Sequence, residues 1–246
     1  MWWVLTLIGA AVGFVAGLFG AGGSAVGTPL LHAAGVPAFY AIASPLPVAI
    51  PLALSATFAY RGSGLIDRRL FVSTALIAIP ATVVGALLTP LIGGRILIAV
   101  TDVLVVLIGV RFVARPALPT RTGTDAQPTY VRIAALAIAV GLVGGLLGNS
   151  GGFLFAPLFV LALRLPLKAA LATSLALSAV LAIPGTITHA ALGHISWGVV
   201  LAYGIGAIPA AYLGARLALG MRTASLAKIY GVCLAALGVV LLATMA

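Results

Sequence analysis

Eight long apolar runs leave this chain little choice of fold. They cover roughly residues 2–18, 39–60, 69–89 and 93–113, then 131–147, 168–189, 197–218 and 225–245. As a helix rising 1.5 Å per residue, each is about long enough to cross a hydrocarbon core of ~30 Å. In lipid every backbone N–H and C=O must be satisfied within the protein, so such runs cross as helices. Composition agrees: 63% of the 246 residues are hydrophobic and 7% are charged, whereas soluble domains carry about 25% charged residues. The sequence predicts an all-α polytopic protein embedded in a lipid bilayer, folded as one bundle with no separate soluble domain. No Lys or Arg precedes the first apolar run. A signal peptide would need such a basic segment, so residues 2–18 are expected to form the first span.

The net charge of +10 comes from thirteen Lys and Arg against three acidic residues. These cations are scattered between apolar runs and form no single patch, which argues against nucleic acid as a partner. Loop cations beside membrane spans follow instead from the positive-inside rule. The single cysteine, Cys233, excludes an internal disulfide and a cysteine-based metal site, and is expected to be a small core residue. No nucleophile–base pair, phosphate loop or nucleotide fold is visible. The chain is therefore expected to be no enzyme and no ATP-driven pump, and to use no cofactor and no metal.

The chain contains the same design twice. Gly13, Gly17, Gly20, Gly23 and Pro29 match Gly141, Gly145, Gly148, Gly151 and Pro157 at a constant offset of 128. After one inserted residue the offset becomes 129, pairing Pro37 with Pro166, Thr57 with Thr186, Pro80 with Pro209 and Gly85 with Gly214. Three proline pairs in one alignment with a single inserted residue are hard to obtain by chance. The expected organisation is a first transmembrane repeat over 1–113, a polar Pro- and Thr-rich linker over 114–130, and a second repeat over 131–246.

Each half also has a short apolar piece after its glycine cluster, 25–35 and 153–164. As helices these cover only ~18 Å, about half the hydrocarbon core. If they dip in and return, the halves are parallel and the cations divide seven to six between the two sides. If they cross, the halves are inverted and only Arg95 stands apart, a split of twelve to one. The loops support the second arrangement: 61–69 has three Arg and its equivalent 190–198 has none. The expectation is two homologous inverted halves, each with four long spans and one short broken helix, and both termini outside the cytoplasm. For the short pieces to cross, the glycine cluster should be extended inside the membrane. Broken segments at matching places in inverted halves point to a transporter's binding site.

Non-helical backbone at membrane depth must face protein or a wet cavity. The short helix that follows presents free N–H groups and the positive end of its dipole, which favours an anion. The candidate ligands for a small anionic substrate are Gly20, Gly22, Gly23, Ser24 and Thr28 in the first half, and Gly148, Asn149, Ser150, Gly151 and Gly152 in the second. Ser44 and Thr173, equivalent positions near the start of the next span, are further candidates. Close packing of helices through small residues is the competing explanation for any one such cluster.

The segments GLFGAGGSAVGTPLL and GGLLGNSGGFLFAPLF resemble the duplicated G-x-x-G-x-G-G-G-x-x-x-x-P motif of the sulfite exporter TauE/SafE family. Length, duplication and polar linker agree over nearly the whole chain. Ser24 replaces the last Gly of the triplet in the first half, and Ser150 the first in the second. The resemblance implies bacterial inner-membrane transport of sulfur-containing anions such as sulfite, sulfoacetate or thiosulfate.

Asp102 lies inside the run ILIAVTDVLVVLIGV. An intramembrane carboxylate is costly, so it is a candidate for proton coupling. His189, near the end of a span, is a second coupling candidate. His32 and His194 are dispersed, and His194 is expected in an outer loop. Pro45, Pro47, Pro51 and Pro184 should kink or unwind their spans. A membrane scaffold or assembly factor without transport is the alternative function.

Overall fold

The computed structural model describes residues 2–20, 23–92 and 129–245, with six single positions between 96 and 111. Every regular element among them is α-helical: α1 (Trp2–Phe19), α2 (Ser24–Ala33), α3 (Ala38–Ala43), α4 (Pro45–Ala59), α5 (Arg68–Ile92), α6 (Tyr130–Leu146), α7 (Gly152–Leu161), α8 (Leu167–Ala191), α9 (Trp197–Gly220) and α10 (Thr223–Met245). Five segments are long and apolar enough to cross a membrane, namely α1, α3–α4 together, α5, α8 and α9. Leu7, Leu76, Leu91, Leu201 and Leu213 stand exposed on their outer faces, as lipid-facing residues should. Of the remaining expected spans, 131–147 forms the 17-residue helix α6 and 225–245 forms α10. The run 93–113, with Asp102, falls outside the described residues apart from the single positions, as does nearly all of the linker. Cys233, expected in the core, is exposed on α10.

Glycines set the helix pairings. A Cβ on Gly9, Gly13 or Gly17 of α1 would strike the backbone of Tyr203, Ala207 or Ala211 of α9. The numbers rise together, so α1 and α9 run parallel at backbone contact. Likewise Gly141 and Gly145 of α6 lie against Ala78 and Thr82 of α5, and Gly85 lies against Leu142. These are the same contacts moved by the repeat offset, with Gly13–Ala207 becoming Gly141–Ala78 and Gly214–Phe14 becoming Gly85–Leu142. Each half lends its first helix to the other.

The middle of the bundle is α3–α4 against α8. Leu46 packs on Gly185, while Tyr60 and Ala176 share a cavity wall at the other end. The numbers run in opposite senses, so these repeat-equivalent segments are antiparallel. Ser44 meets Ser196, Val48 meets Gly204 and Ser55 bonds Ile208, so α4 runs parallel to α9. The ends of α4 and α9 therefore meet the starts of α5, α6, α8 and α10. Lys168 Nζ donates to the Leu219 carbonyl at 2.7 Å and Arg69 to the Tyr130 hydroxyl at 2.8 Å, tying this end together. Arg61, Arg68, Arg69, Arg132, Arg164, Lys168, Arg216, Arg222 and Lys228 all lie at or within about a turn or two of it.

Two local expectations are corrected. At their described glycines the clusters turn rather than run extended: Gly20, Gly23, Gly148 and Gly151 have φ of +67°, +81°, +57° and +74°. Left-handed backbone reverses the chain, which only glycine does without steric cost. So α1–α2 and α6–α7 are hairpins, and the parallel halves expected of a returning short piece do not follow, because α3–α4 and α8 pair antiparallel. Phe39, just after α2, stacks on His194 beside the start of α9, the end at which α1 begins. Among the described residues, the helix is interrupted at one of the expected proline sites. Pro45 and Pro47 cannot donate backbone hydrogen bonds, and the helix divides at Ser44 into α3 and α4, whereas α8 continues through Pro184.

Candidate anion-binding site

The tips of the two hairpins touch. Ser24 opens α2, and its Oγ donates to Asn149 Oδ1 of the other tip at 2.7 Å. The same oxygen accepts the Gly151 N–H at 3.2 Å, closing a local turn that leads into α7. The backbone around the tips is held from both sides. Ser174 Oγ shares its proton between the carbonyls of Gly20 (3.0 Å) and Leu171 (2.9 Å), and the Tyr203 hydroxyl donates to the Gly23 carbonyl at 3.3 Å. Gly20 rests on the backbone of Leu171, and Gly148 rests on Ile42, the repeat equivalent of Leu171. Neither residue at these positions could carry a Cβ without moving α8 or α3.

Two polar groups at this junction have no partner. Asn149 Nδ2 and Ser150 Oγ are buried, and their residues are 3% and 0% exposed. A buried donor left unbonded costs about 1–3 kcal/mol. The helix starts add to this need. Gly23 and Gly151 cap α2 and α7 without any side-chain hydrogen bond, so first-turn N–H groups lack the acceptor that a Ser or Asp cap supplies. Thr28 lies one turn along α2 from Ser24 and is buried, as is Gly152 at the start of α7. The cluster is rich in donors, and the positive ends of two helix dipoles converge on it. Gly22 lies outside the described residues.

Ser44 and Thr173 are used differently. Ser44 Oγ accepts the Ser196 N–H, and Thr173 Oγ1 accepts the Asp67 N–H, both at 3.0 Å. These repeat-equivalent bonds fasten the starts of α9 and α5 at opposite ends of the bundle. His189 is fully buried. Its Nδ1 faces Nδ1 of His194 at 3.2 Å and its Nε2 lies 3.4 Å from the Gly145 carbonyl. The neighbouring Gly144 carbonyl accepts the Asn149 N–H, so this pair stands directly behind the second tip. His194 lies in the loop after α8, and burial holds it below the ordinary imidazole range. His32 is bound locally to the Val36 carbonyl. Sequence reasoning passed over Ser174, Ser178 and Tyr203. The spacing of Ser174 and Ser178, one helical turn apart in an apolar run, was the available signal; both are fully buried.

Apolar helices enclosing two broken hairpins whose tips meet inside the bundle define a membrane transporter. Residues 5–241 match the family model described as "Sulfite exporter TauE/SafE", and the chain belongs to that family. A "Probable membrane transporter protein" of Xylella fastidiosa (strain 9a5c) is 29% identical over 85% of this chain and 82% of its own length. The "Probable membrane transporter protein YunE" of Bacillus subtilis (strain 168) is 28% identical, over 87% of this chain and 86% of that protein. No solved structure matches the chain.

Proposed function

We propose that this protein is a secondary transporter of small sulfur-containing anions, of the sulfite, sulfoacetate or thiosulfate type, with its substrate site at the junction of the two hairpin tips. The observation that carries the proposal is the unpartnered pair Asn149 Nδ2 and Ser150 Oγ, buried between two helix starts that lack side-chain caps. A small oxyanion would satisfy both donors and the first-turn N–H groups together, the usual chemistry of anion binding at helix N-termini. The Thr28 hydroxyl and the first-turn backbone N–H groups of α2 would complete the ring from the first half, while the Ser24 hydroxyl, which donates to Asn149, holds the tips together. Gly20, Gly23, Gly148 and Gly151 serve by turning the chain rather than by leaving room for ligand.

An inverted relation between the halves is supported by the antiparallel pairing of α3–α4 with α8. The collection of described cations at one end supports placing that end in the cytoplasm of a bacterial inner membrane, with the termini opposite. Energy would come from an ion gradient. His189 behind the second tip, and Asp102 in the span outside the described residues, are the coupling candidates. Flux of radiolabelled sulfite into proteoliposomes, with and without a pH gradient, tests the proposal. Saturable flux that a proton gradient accelerates, and that Asn149→Asp removes, is the expected result. Flux no greater than in protein-free vesicles overturns it.

A further inference from the structure

A recess lies at the basic end, lined by none of the hairpin-tip residues. It is a cavity of about 1070 Å³ between the end of α4, the start of α5 and the middle of α8. Its walls are largely apolar, with Ile66, Phe71 and Ala176 among them. Its polar lining is sparse and of one kind. Arg61 and Arg68 stand at it, both exposed and neither with an acidic partner among the described residues. Tyr60 is 1% exposed and its buried hydroxyl has no hydrogen-bond partner.

The repeat makes the feature specific to one end. The equivalents of Tyr60, Arg61 and Arg68 at the offset of 129 are His189, Ala190 and Trp197. There the cations are gone, and both nitrogens of His189 are engaged by His194 and Gly145. A recess needed equally on both sides for moving substrate would be expected in both halves.

We infer that this cavity holds an anionic phospholipid, with its phosphate between Arg61 and Arg68, the Tyr60 hydroxyl as a further donor, and acyl chain along the apolar wall. Three physical points select lipid over a free anion. The volume far exceeds what a single small oxyanion fills. The apolar wall offers such an anion nothing. The recess also opens at the basic end, where the positive-inside rule places the anionic cytoplasmic leaflet, and basic pockets between membrane helices at that level bind acidic headgroups.

The test uses the full chain in nanodiscs of phosphatidylcholine with increasing phosphatidylglycerol, read as thermal midpoint and as lipid retained by native mass spectrometry. The wild-type midpoint should rise with phosphatidylglycerol and one or more such lipids should be retained. Arg61→Gln/Arg68→Gln should weaken retention roughly thirtyfold, taking about one factor of five for each cation near an anionic surface. Arg222→Gln/Lys228→Gln removes the same charge elsewhere at that end and should retain the wild-type response. Tyr60→Phe, which keeps the fold's volume, should weaken retention by itself and serves if the double variant does not fold. Equal losses in the two double variants would reduce the effect to general surface charge and overturn the site. A midpoint that rises equally with inorganic phosphate in pure phosphatidylcholine would overturn the lipid assignment in favour of a free anion.

Discussion

Ser24 Oγ and Asn149 Oδ1, 125 positions apart in sequence, lie 2.7 Å from each other and join the two halves of the chain at its centre. Asn149 spends its carbonyl on holding the two tips together, through Ser24 and Gly151, and keeps its amide for something else. That division of labour gives the first expectation. Asn149→Asp keeps both accepted hydrogen bonds, loses the donor and adds a like charge. The protein should fold and insert. Sulfite binding, measured as a substrate-induced thermal shift, should weaken by roughly 10- to 150-fold, the loss of one charge-assisted hydrogen bond at about 1.5–3 kcal/mol. Normal binding by the folded variant would remove Asn149 from the site.

Ser150→Ala separates a binding residue from a structural one. Its hydroxyl is buried without a partner, so deleting it should leave the empty protein as stable as before or up to ~2 kcal/mol more stable. Anion affinity should fall by roughly tenfold in the same preparation. A loss of stability without ligand would instead mean that the hydroxyl serves the fold.

The helical glycines should behave differently from the turn glycines. Gly17→Ala places a methyl against the Ala211 backbone, and overpacking of this kind costs about 1–3 kcal/mol or more. Gly198→Ala meets no neighbour within 4 Å and should be neutral or stabilising by up to ~1 kcal/mol. Thermal melts of the two variants in one detergent decide it, and similar midpoints would contradict close approach of α1 and α9.

The His194 contact should loosen on acidification. Its folded-state affinity for protons is lowered by burial. Above the ordinary imidazole value of about 6.5 the ring is neutral whether folded or not, and contributes nothing to pH dependence. Below that value the unfolded chain takes up a proton that the folded loop resists, so stability falls as pH falls. His194→Asn should flatten this slope in thermal melts between pH 7 and pH 5. An unchanged slope would show that another group is responsible.

Sidedness is testable with single cysteines after Cys233→Ala. Ser63 and Ala191 are both exposed, at opposite ends of the bundle. In intact cells an impermeant thiol reagent should label Ala191→Cys and spare Ser63→Cys. The reverse pattern would place the basic end outside.

The sequence by itself pointed to a bundle of membrane helices with matched halves, because run length, sparse charge and matched Gly and Pro positions are properties of one dimension. It also marked the glycine clusters as breaks, and named Ser24, Asn149 and Ser150. It could not separate Gly13 and Gly17, which let α1 meet α9, from Gly20 and Gly23, which turn the chain. The two roles differ only in what lies opposite and in the sign of φ. Nor could it tell that Ser44 and Thr173 are fastened to helix starts in the other half, or that Ser174 holds the first tip. Such contacts join residues more than a hundred positions apart, and only the interlocking of α1 with α9 and α6 with α5 brings them together. Tertiary structure also corrected the extended crossing into two hairpins. A glycine-rich stretch is permitted both conformations locally, and the neighbouring backbones of Leu171 and Ile42 select the turn.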